Sequence, residues 1–378
     1  MLSYWEKQSL LQYDYIILGS GIAGLSTAIS LKERLPAARV LVLERALLPT
    51  GASTKNAGFA CIGSLTEILA DLQSLSPEQV TALVTQRRKG LQMLRQRLGD
   101  ERIGYREQGS YELISEQELP ALDQLSAANE LLQPVLGGAA FTLVNEYIPR
   151  FAFNAQYARA LLRNNYEGEL HTGKMMRALI DLAIEKKVEI KTGCNAMQVE
   201  EIRGGVNVIV KQDATPEEIT FHCSRLAICT NAFTKTLLPE LDLQPGRGQV
   251  LITNLIPDLL FKGIFHMDEG YFYFRELDGR VLFGGGRNLD FAGEATTAFD
   301  LNNKIQQVLE EKLRSIILPG RSFTITDRWT GIMAFGPDKQ PILRPFSAYI
   351  FLGVRMGGMG VAIGSAVGEE LAKMMISH

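Results

Sequence analysis

The stretch Tyr15-Ile-Ile-Leu18-Gly19-Ser-Gly21-Ile22-Ala23-Gly24-Leu25 sets the reading of everything that follows it. Tyr15 to Leu18 is an apolar run of strand length, and the apolar spacing from Leu25 to Arg34 is that of a helix. Between them lies Gly19-x-Gly21-x-x-Gly24, and a second apolar run, Val40 to Leu43, ends on Glu44. The acid falls about twenty residues beyond the last glycine, so strand, turn, helix, strand and acid keep the register of a dinucleotide-binding βαβ unit. Gly19 permits the tight turn, Gly21 lets backbone N–H groups approach a pyrophosphate, and Gly24 lets the helix pack against the sheet. The helix N-terminus favours the phosphate charge, and Glu44 can accept hydrogen bonds from ribose hydroxyls. The acid argues against NADP, while NAD and FAD use this unit equally.

Outward from that unit, Ser76-Pro77-Glu78 opens a helix that runs to Leu98, with proline at its first position. From Glu107 to Phe153 the pattern is strand-like and irregular; Met175 to Lys186 is helical. Strands follow at Val188–Lys191, Ala196–Glu200, Val206–Val210, Ile219–Phe221 and Leu226–Cys229, then at Val250–Thr253, Tyr271–Phe274 and Val281–Gly284. A helix over Asn302–Leu313, a strand over Tyr349–Gly353 and a helix over Ala362–Met375 complete the pattern. The fold expected is α/β combined with α+β. A discontinuous Rossmann-like domain takes residues 13–100, 150–240 and 325–378, and an inserted antiparallel-sheet substrate domain takes 101–149 and 241–324.

Composition narrows the function. The 378 residues are 46% hydrophobic and 21% charged, an ordinary globular balance. With 39 Lys+Arg against 42 Asp+Glu, the net charge of −3 gives no reason to expect a nucleic-acid partner. The basic positions Arg87, Arg88, Lys89, Arg95, Arg97, Arg102 and Arg106 are interrupted by Asp100, Glu101 and Glu107, and read as a solvated helix face. Cys61, Cys194, Cys223 and Cys229 form no CxxC pair, and the four histidines fall in no HExxH or HxH spacing, so no metal is expected. Met1 to Tyr13 lacks the pattern of a signal peptide. Tyr349–Gly368 is apolar but carries glycine at 353, 357, 358, 360, 364 and 368, too dense for a lipid-facing helix. A cytoplasmic protein with free thiols and no membrane span is expected.

Several later patches resemble the superfamily of D-amino acid oxidase, glycine oxidase and sarcosine oxidase. They are Gly51-Ala-Ser53-Thr54-Lys-Asn56-Ala57-Gly58-Phe59, Arg247-Gly248-Gln249-Val250, Arg328-Trp329-Thr-Gly331 followed by Pro337-Asp338-x-x-Pro341, and Gly353-Val-Arg355-Met-Gly357-Gly358-Met359-Gly360. The resemblance implies non-covalent FAD. Its pyrophosphate and ring would run along Ser53, Thr54, Asn56, Ala57 and Gly58. Gly357, Gly358, Met359 and Gly360 would turn backbone N–H groups toward the pyrimidine edge. It further implies cofactor contacts at Ile22, Ala23, Arg45, Val199, Thr230, Asn231 and Gly331. Arg355 matches the arginine that pairs a substrate carboxylate, and Tyr271 matches a pocket tyrosine. Tyr273, two positions on, shares its face in a regular strand, although core packing explains either tyrosine as well.

The activity so implied is oxidation of the C–N bond of a small, carboxylate-bearing amine, by hydride transfer to flavin N5 and hydrolysis of the imine. Dioxygen is the acceptor expected. The alternatives are a dehydrogenase that uses a quinone or protein acceptor, and a non-catalytic dinucleotide-binding or tRNA-associated module. Two positions depart from the family pattern: Met333 stands where several members have a second arginine, and Asn56-Ala-Gly58 is closer to polyamine-type oxidases.

Overall fold

The computed structural model describes residues 2–211 and 218–378. At its centre Gln12–Leu18 runs parallel to Val40–Leu43 on one side and to Glu218–Ile228 on the other. Glu189–Lys191 and Ile350–Val354 add parallel strands at the two flanks, and Ile342–Pro345 closes one edge antiparallel. Ile16, Ile17, Leu41 and Val42 are fully buried, which explains why these strands read as continuous apolar runs rather than as alternating ones. The hairpin of Asn195–Ile202 and Gly205–Lys211 pairs with the first half of Glu218–Ile228.

Helices Ile22–Arg34, Pro77–Leu98, Thr172–Glu185 and Gly360–Ser377 pack together over one face of this sheet. The last of them approaches the first closely enough that a Cβ on Gly368 would stand 2.8 Å from the Ala23 carbonyl oxygen. Both helices therefore present their N-termini at the same edge of the sheet.

A second eight-stranded sheet has the order Ile325–Phe335, Gln244–Thr253, Arg280–Gly285, Phe272–Leu277, Ile264–Met267, Ser110–Ile114, Ala160–Asn164, Phe141–Leu143. All its pairings are antiparallel except that of Ile264–Met267 with Ser110–Ile114. Its back is an aromatic core in which Phe265 and Phe274 stack at 4.6 Å, flanked by Phe153 and Phe261.

Three expectations need correction. Ala160–Asn164 and Ile325–Phe335 belong to this second sheet, not to the nucleotide-binding part; their partners are distant in sequence, so nothing local announces the pairing. Leu125–Leu136, inside the region read as strand-like, is a helix that buries Ala128, Leu132 and Leu136 and ends on left-handed Gly137. Pro134 in its final turn hides that periodicity. The basic run departs from a solvated face at Arg87, while Lys89, Arg102 and Arg106 are exposed. Arg87 is buried and donates to the Ile62 carbonyl at 2.7 Å, while Arg95 pairs with Asp100, Arg97 with Glu33, and Arg102 with Asp181 and Glu185. Among the described residues no helix is long and apolar enough to cross a membrane.

Candidate active site

The glycine turn is built as its spacing demands. Gly19 has φ +98° and donates its N–H to the Leu43 carbonyl, and a Cβ on Gly24 would collide with the Gly19 carbonyl oxygen. The Ile22 N–H at the helix N-terminus donates to Ser53 Oγ at 3.0 Å, which ties the second glycine-rich loop to the first. Glu44 is nearly buried. Its Oε2 accepts from the N–H and hydroxyl of Ser20 (3.1 and 2.6 Å) and its Oε1 from the Ala46 N–H (3.2 Å). Those bonds fix the carboxylate and leave further lone pairs for ribose hydroxyls.

A cavity of about 1140 Å³ starts at this turn and runs to the second sheet. Gly19, Gly21, Ile22, Ala23, Glu44 and Arg45 line it, as do Ser53, Asn56, Ala57, Thr230, Asn231, Gly331 and Gly357 to Gly360. Its volume exceeds the usual range for a drug-sized ligand, about 300–1,000 Å³, and suits a dinucleotide together with a substrate. Asn231, held at φ +48°, accepts the backbone N–H of Arg355 on its Oδ1 at 3.0 Å and so pins the last glycine turn. Beyond that turn helix Gly360–Ser377 begins, and its first N–H groups have no intrahelical acceptor. Thus two helix N-termini, Ile22 and Gly360, open side by side onto the cavity. These residues fit FAD.

Five of the expected positions stand elsewhere. Gly24 packs helix on strand. Thr54 turns its hydroxyl onto the carbonyls of Pro49 and Gly51, away from the cavity. Gly58 (φ +77°) lies beneath Arg275, whose guanidinium is bonded to the carbonyls of Ala57, Gly58 and Leu170 and pairs in charge with Glu169 at 3.1 Å. Val199 is cross-strand to Val208, and Cys194 to Met197 form the wall instead. The correction with most consequence concerns Arg355. Its Nε donates to the Gln340 carbonyl (3.0 Å), one Nη to the Asp242 carbonyl (3.1 Å), and the other to Asp338 Oδ1 (2.6 Å). It does not line the cavity, and a guanidinium so occupied has no fork to offer a substrate.

Arg45 lies at the dinucleotide turn, over the Phe233 ring; at the second-sheet end of the cavity the lining arginine is Arg287, which the sequence reading passed over. It follows Gly284-Gly285-Gly286, where φ of +117° at Gly285 and +77° at Gly286 turns the chain out of its strand. Its guanidinium lies 3.9 Å from the Phe335 ring centroid and 4.8 Å from that of Phe291. Among the described residues it makes no ion pair and no hydrogen bond. Burial lowers its pKa from the ordinary arginine value and outweighs the opposing pull of the Glu294 charge. Tyr271 stands beside it against Phe291, and Tyr273 is buried deeper against Phe59. The strand begins only at Phe272, so Tyr271 sits in the preceding turn, yet both tyrosines line the same cavity. Burial pushes the Tyr273 phenol up to about 12. Phe59, Cys61, His266 and Met333 close this end.

The Arg-Gly-Gln strand anchors the segment that follows Arg287, through Glu294. Arg247 clasps the fully buried Glu294 through Nε and Nη2 at 3.0 and 2.8 Å, Gln249 adds a bond at 2.9 Å, and Asn302 another at 2.8 Å. Burial raises the Glu294 pKa, and these bonds outweigh it, so the carboxyl is held below its ordinary value.

A model of the family described as DAO, FAD dependent oxidoreductase, matches residues 14–374. Among solved structures the chain is similar to L-proline dehydrogenase from P. horikoshii (15% identity, TM-score 0.77, 97% of this chain and 94% of that one). Glycine oxidase from Geobacillus kaustophilus (18%, 0.77, 97% and 95%) and iminodiacetate oxidase from Chelativorans sp. BNC1 (17%, 0.76, 96% and 95%) are similar to the same degree. At these identities the likeness speaks for the fold. Among curated protein sequences none matches this one.

Proposed function

Because the chain belongs to the family of FAD-dependent oxidoreductases, we propose that it oxidises the C–N bond of a small amine that carries a carboxylate. In this reading FAD is held without a covalent bond and dioxygen is the electron acceptor. The observation that carries the substrate class is Arg287, a half-buried guanidinium with no ion pair or hydrogen bond among the described residues, in a cavity that also holds the dinucleotide cradle. Glycine and iminodiacetate, which give two of the structural neighbours their names, are both amines bearing carboxylates.

When bound, FAD supplies the two-electron oxidant, and the protein supplies position, electrostatics and a dry pocket. Arg287 pairs with the carboxylate and the Tyr271 hydroxyl adds a bond beside it, fixing the substrate at one end. Tyr273 stays neutral at working pH and contributes a hydroxyl without a charge. Phe59, Met333 and Phe335 keep water from the reacting end. The N-terminus of Gly360–Ser377 favours negative charge at its side of the cavity. Free thiols at Cys61, Cys194, Cys223 and Cys229 support placing the protein in the cytoplasm.

The test is anaerobic flavin bleaching with amines offered in pairs, with and without a carboxylate. Arg287→Ala is expected to lower kcat/KM by about 3 kcal/mol, roughly a hundredfold, for the carboxylate-bearing member only. Equal losses for both members would remove Arg287 from recognition. Peroxide formed under air is the outcome expected of an oxidase; a flavin that stays reduced under air points to the quinone or protein acceptor. Acid precipitation is expected to leave FAD in the supernatant.

A further inference from the structure

Cys61, Glu167 and His266 come from three distant segments and meet beside the cavity, where the proposed reaction gives them no chemical task. They are 8%, 0% and 5% exposed. One potential donor atom from each (thiol sulfur, carboxylate oxygen, ring nitrogen) lies within 4.8 Å of the other two. Glu167 Oε1 is fixed by the backbone N–H groups of Ile62 and Gly63, at 2.6 and 2.8 Å. Its Oε2 faces His266 Nε2 at 3.8 Å, too far for a hydrogen bond. Both atoms are buried, and neither has a hydrogen-bond partner among the described residues.

Two buried polar atoms left unmet at one point cost about 1–3 kcal/mol each. A water at about 2.8 Å from each would subtend about 85° between them, tighter than its tetrahedral preference. A metal ion, with bonds of about 2.0–2.2 Å to nitrogen and oxygen, closes the same gap with a small inward movement.

We infer that Cys61, Glu167 and His266 form a binding site for one divalent cation of the Zn²⁺ type, with a fourth coordination position open to the cavity. The donor set is thiolate, imidazole and carboxylate, the three that Zn²⁺ accepts, and three protein ligands with one open position is the pattern of accessible zinc sites. The two anions balance the charge of the ion. Cys61 gives up its proton to solvent as the metal–sulfur bond forms, so uptake releases a proton. Cys61 and His266 line the cavity and Glu167 sits behind them, which turns the open position toward the substrate end. The hydrogen bonds from Ile62 and Gly63 are the outer support that orients the carboxylate ligand. Arg87 is the nearby cation, and Asp71 stands 3.9 Å from its guanidinium. The inference does not depend on the proposed substrate.

The test uses flavin-bound protein carrying Cys194→Ser, so that the more accessible thiol is not counted. It is incubated with Zn²⁺ alone, desalted and analysed for metal. About one ion per chain is expected. Cys61→Ser and His266→Asn are each expected to weaken binding by at least the roughly tenfold that loss of an outer support costs, while flavin content holds. Retention of only a trace of zinc by the parent overturns the inference, as does undiminished binding in either variant. Co²⁺ offered to the unsubstituted protein reads the ligands without mutation. Intense tetrahedral d–d bands, lying to the red of oxidised flavin, with a thiolate charge-transfer band, support the site; weak octahedral absorption alone overturns it.

Discussion

Arg287 and Arg355 show how far a residue's surroundings decide its work. Both sit by glycine-rich turns in apolar sequence, and only Arg355 lies in a segment that resembles a known motif. Its three occupied nitrogens make it a clamp between Asp338, the Asp242 carbonyl and the Gln340 carbonyl. Arg355→Met is therefore expected to lower stability by about 2 kcal/mol, seen in the urea midpoint. The preference for carboxylate-bearing over plain amines should stay as in the parent, because Arg287 is untouched. A lost preference would restore Arg355 as the recognition residue. At this scale the backbone turn at Gly19 and Gly21 and the position of Glu44 at the strand end were legible, because they follow from local spacing. The sequence did not show Arg287, because counter-charge is a property of space. Arg247 and Arg355 look no different on paper and both are paired.

Among the elements, the βαβ unit was legible because each strand is a continuous apolar run and each glycine falls where a close approach requires it. Gly24→Ala is expected to force the helix Ile22–Arg34 off its strand and weaken FAD binding by at least about tenfold, or 1.4 kcal/mol, measured by flavin fluorescence. The segment carrying Arg287 was not legible, since it is a turn and a short 3₁₀ stretch anchored through Glu294. That anchor has a pH signature. The Glu294 carboxyl titrates lower in the folded protein than in the unfolded chain, so its stabilisation is complete above the ordinary carboxyl range. It is lost as pH falls through the folded value. Glu294→Gln is expected to cost about 3 kcal/mol at neutral pH by leaving Arg247 buried without its partner. The gap between parent and variant in urea midpoint should narrow in acid; a gap constant with pH would remove the ion pair as its cause.

At the scale of the whole molecule, the cradle is assembled from the first βαβ unit, the hairpin wall at Cys194–Met197 and the last helix, so cofactor binding and global stability are coupled. FAD at a hundred times its Kd is expected to stabilise the folded protein by about 2.7 kcal/mol, read as a rise in Tm over stripped protein. A Tm indifferent to FAD would break that coupling. The division into two sheets was legible from the alternation of helical and strand patterns. The membership of Ala160–Asn164 and Ile325–Phe335 was not, because their pairing is settled only when distant partners arrive. The same feature has a consequence for synthesis. Gln12–Leu18 finds one neighbour at Val40–Leu43 but the other only at Glu218–Ile228, and that strand in turn waits for Ile350–Val354. A nascent chain halfway off the ribosome therefore exposes apolar strand edges it has no means of covering, and for that interval it is a natural client for chaperones.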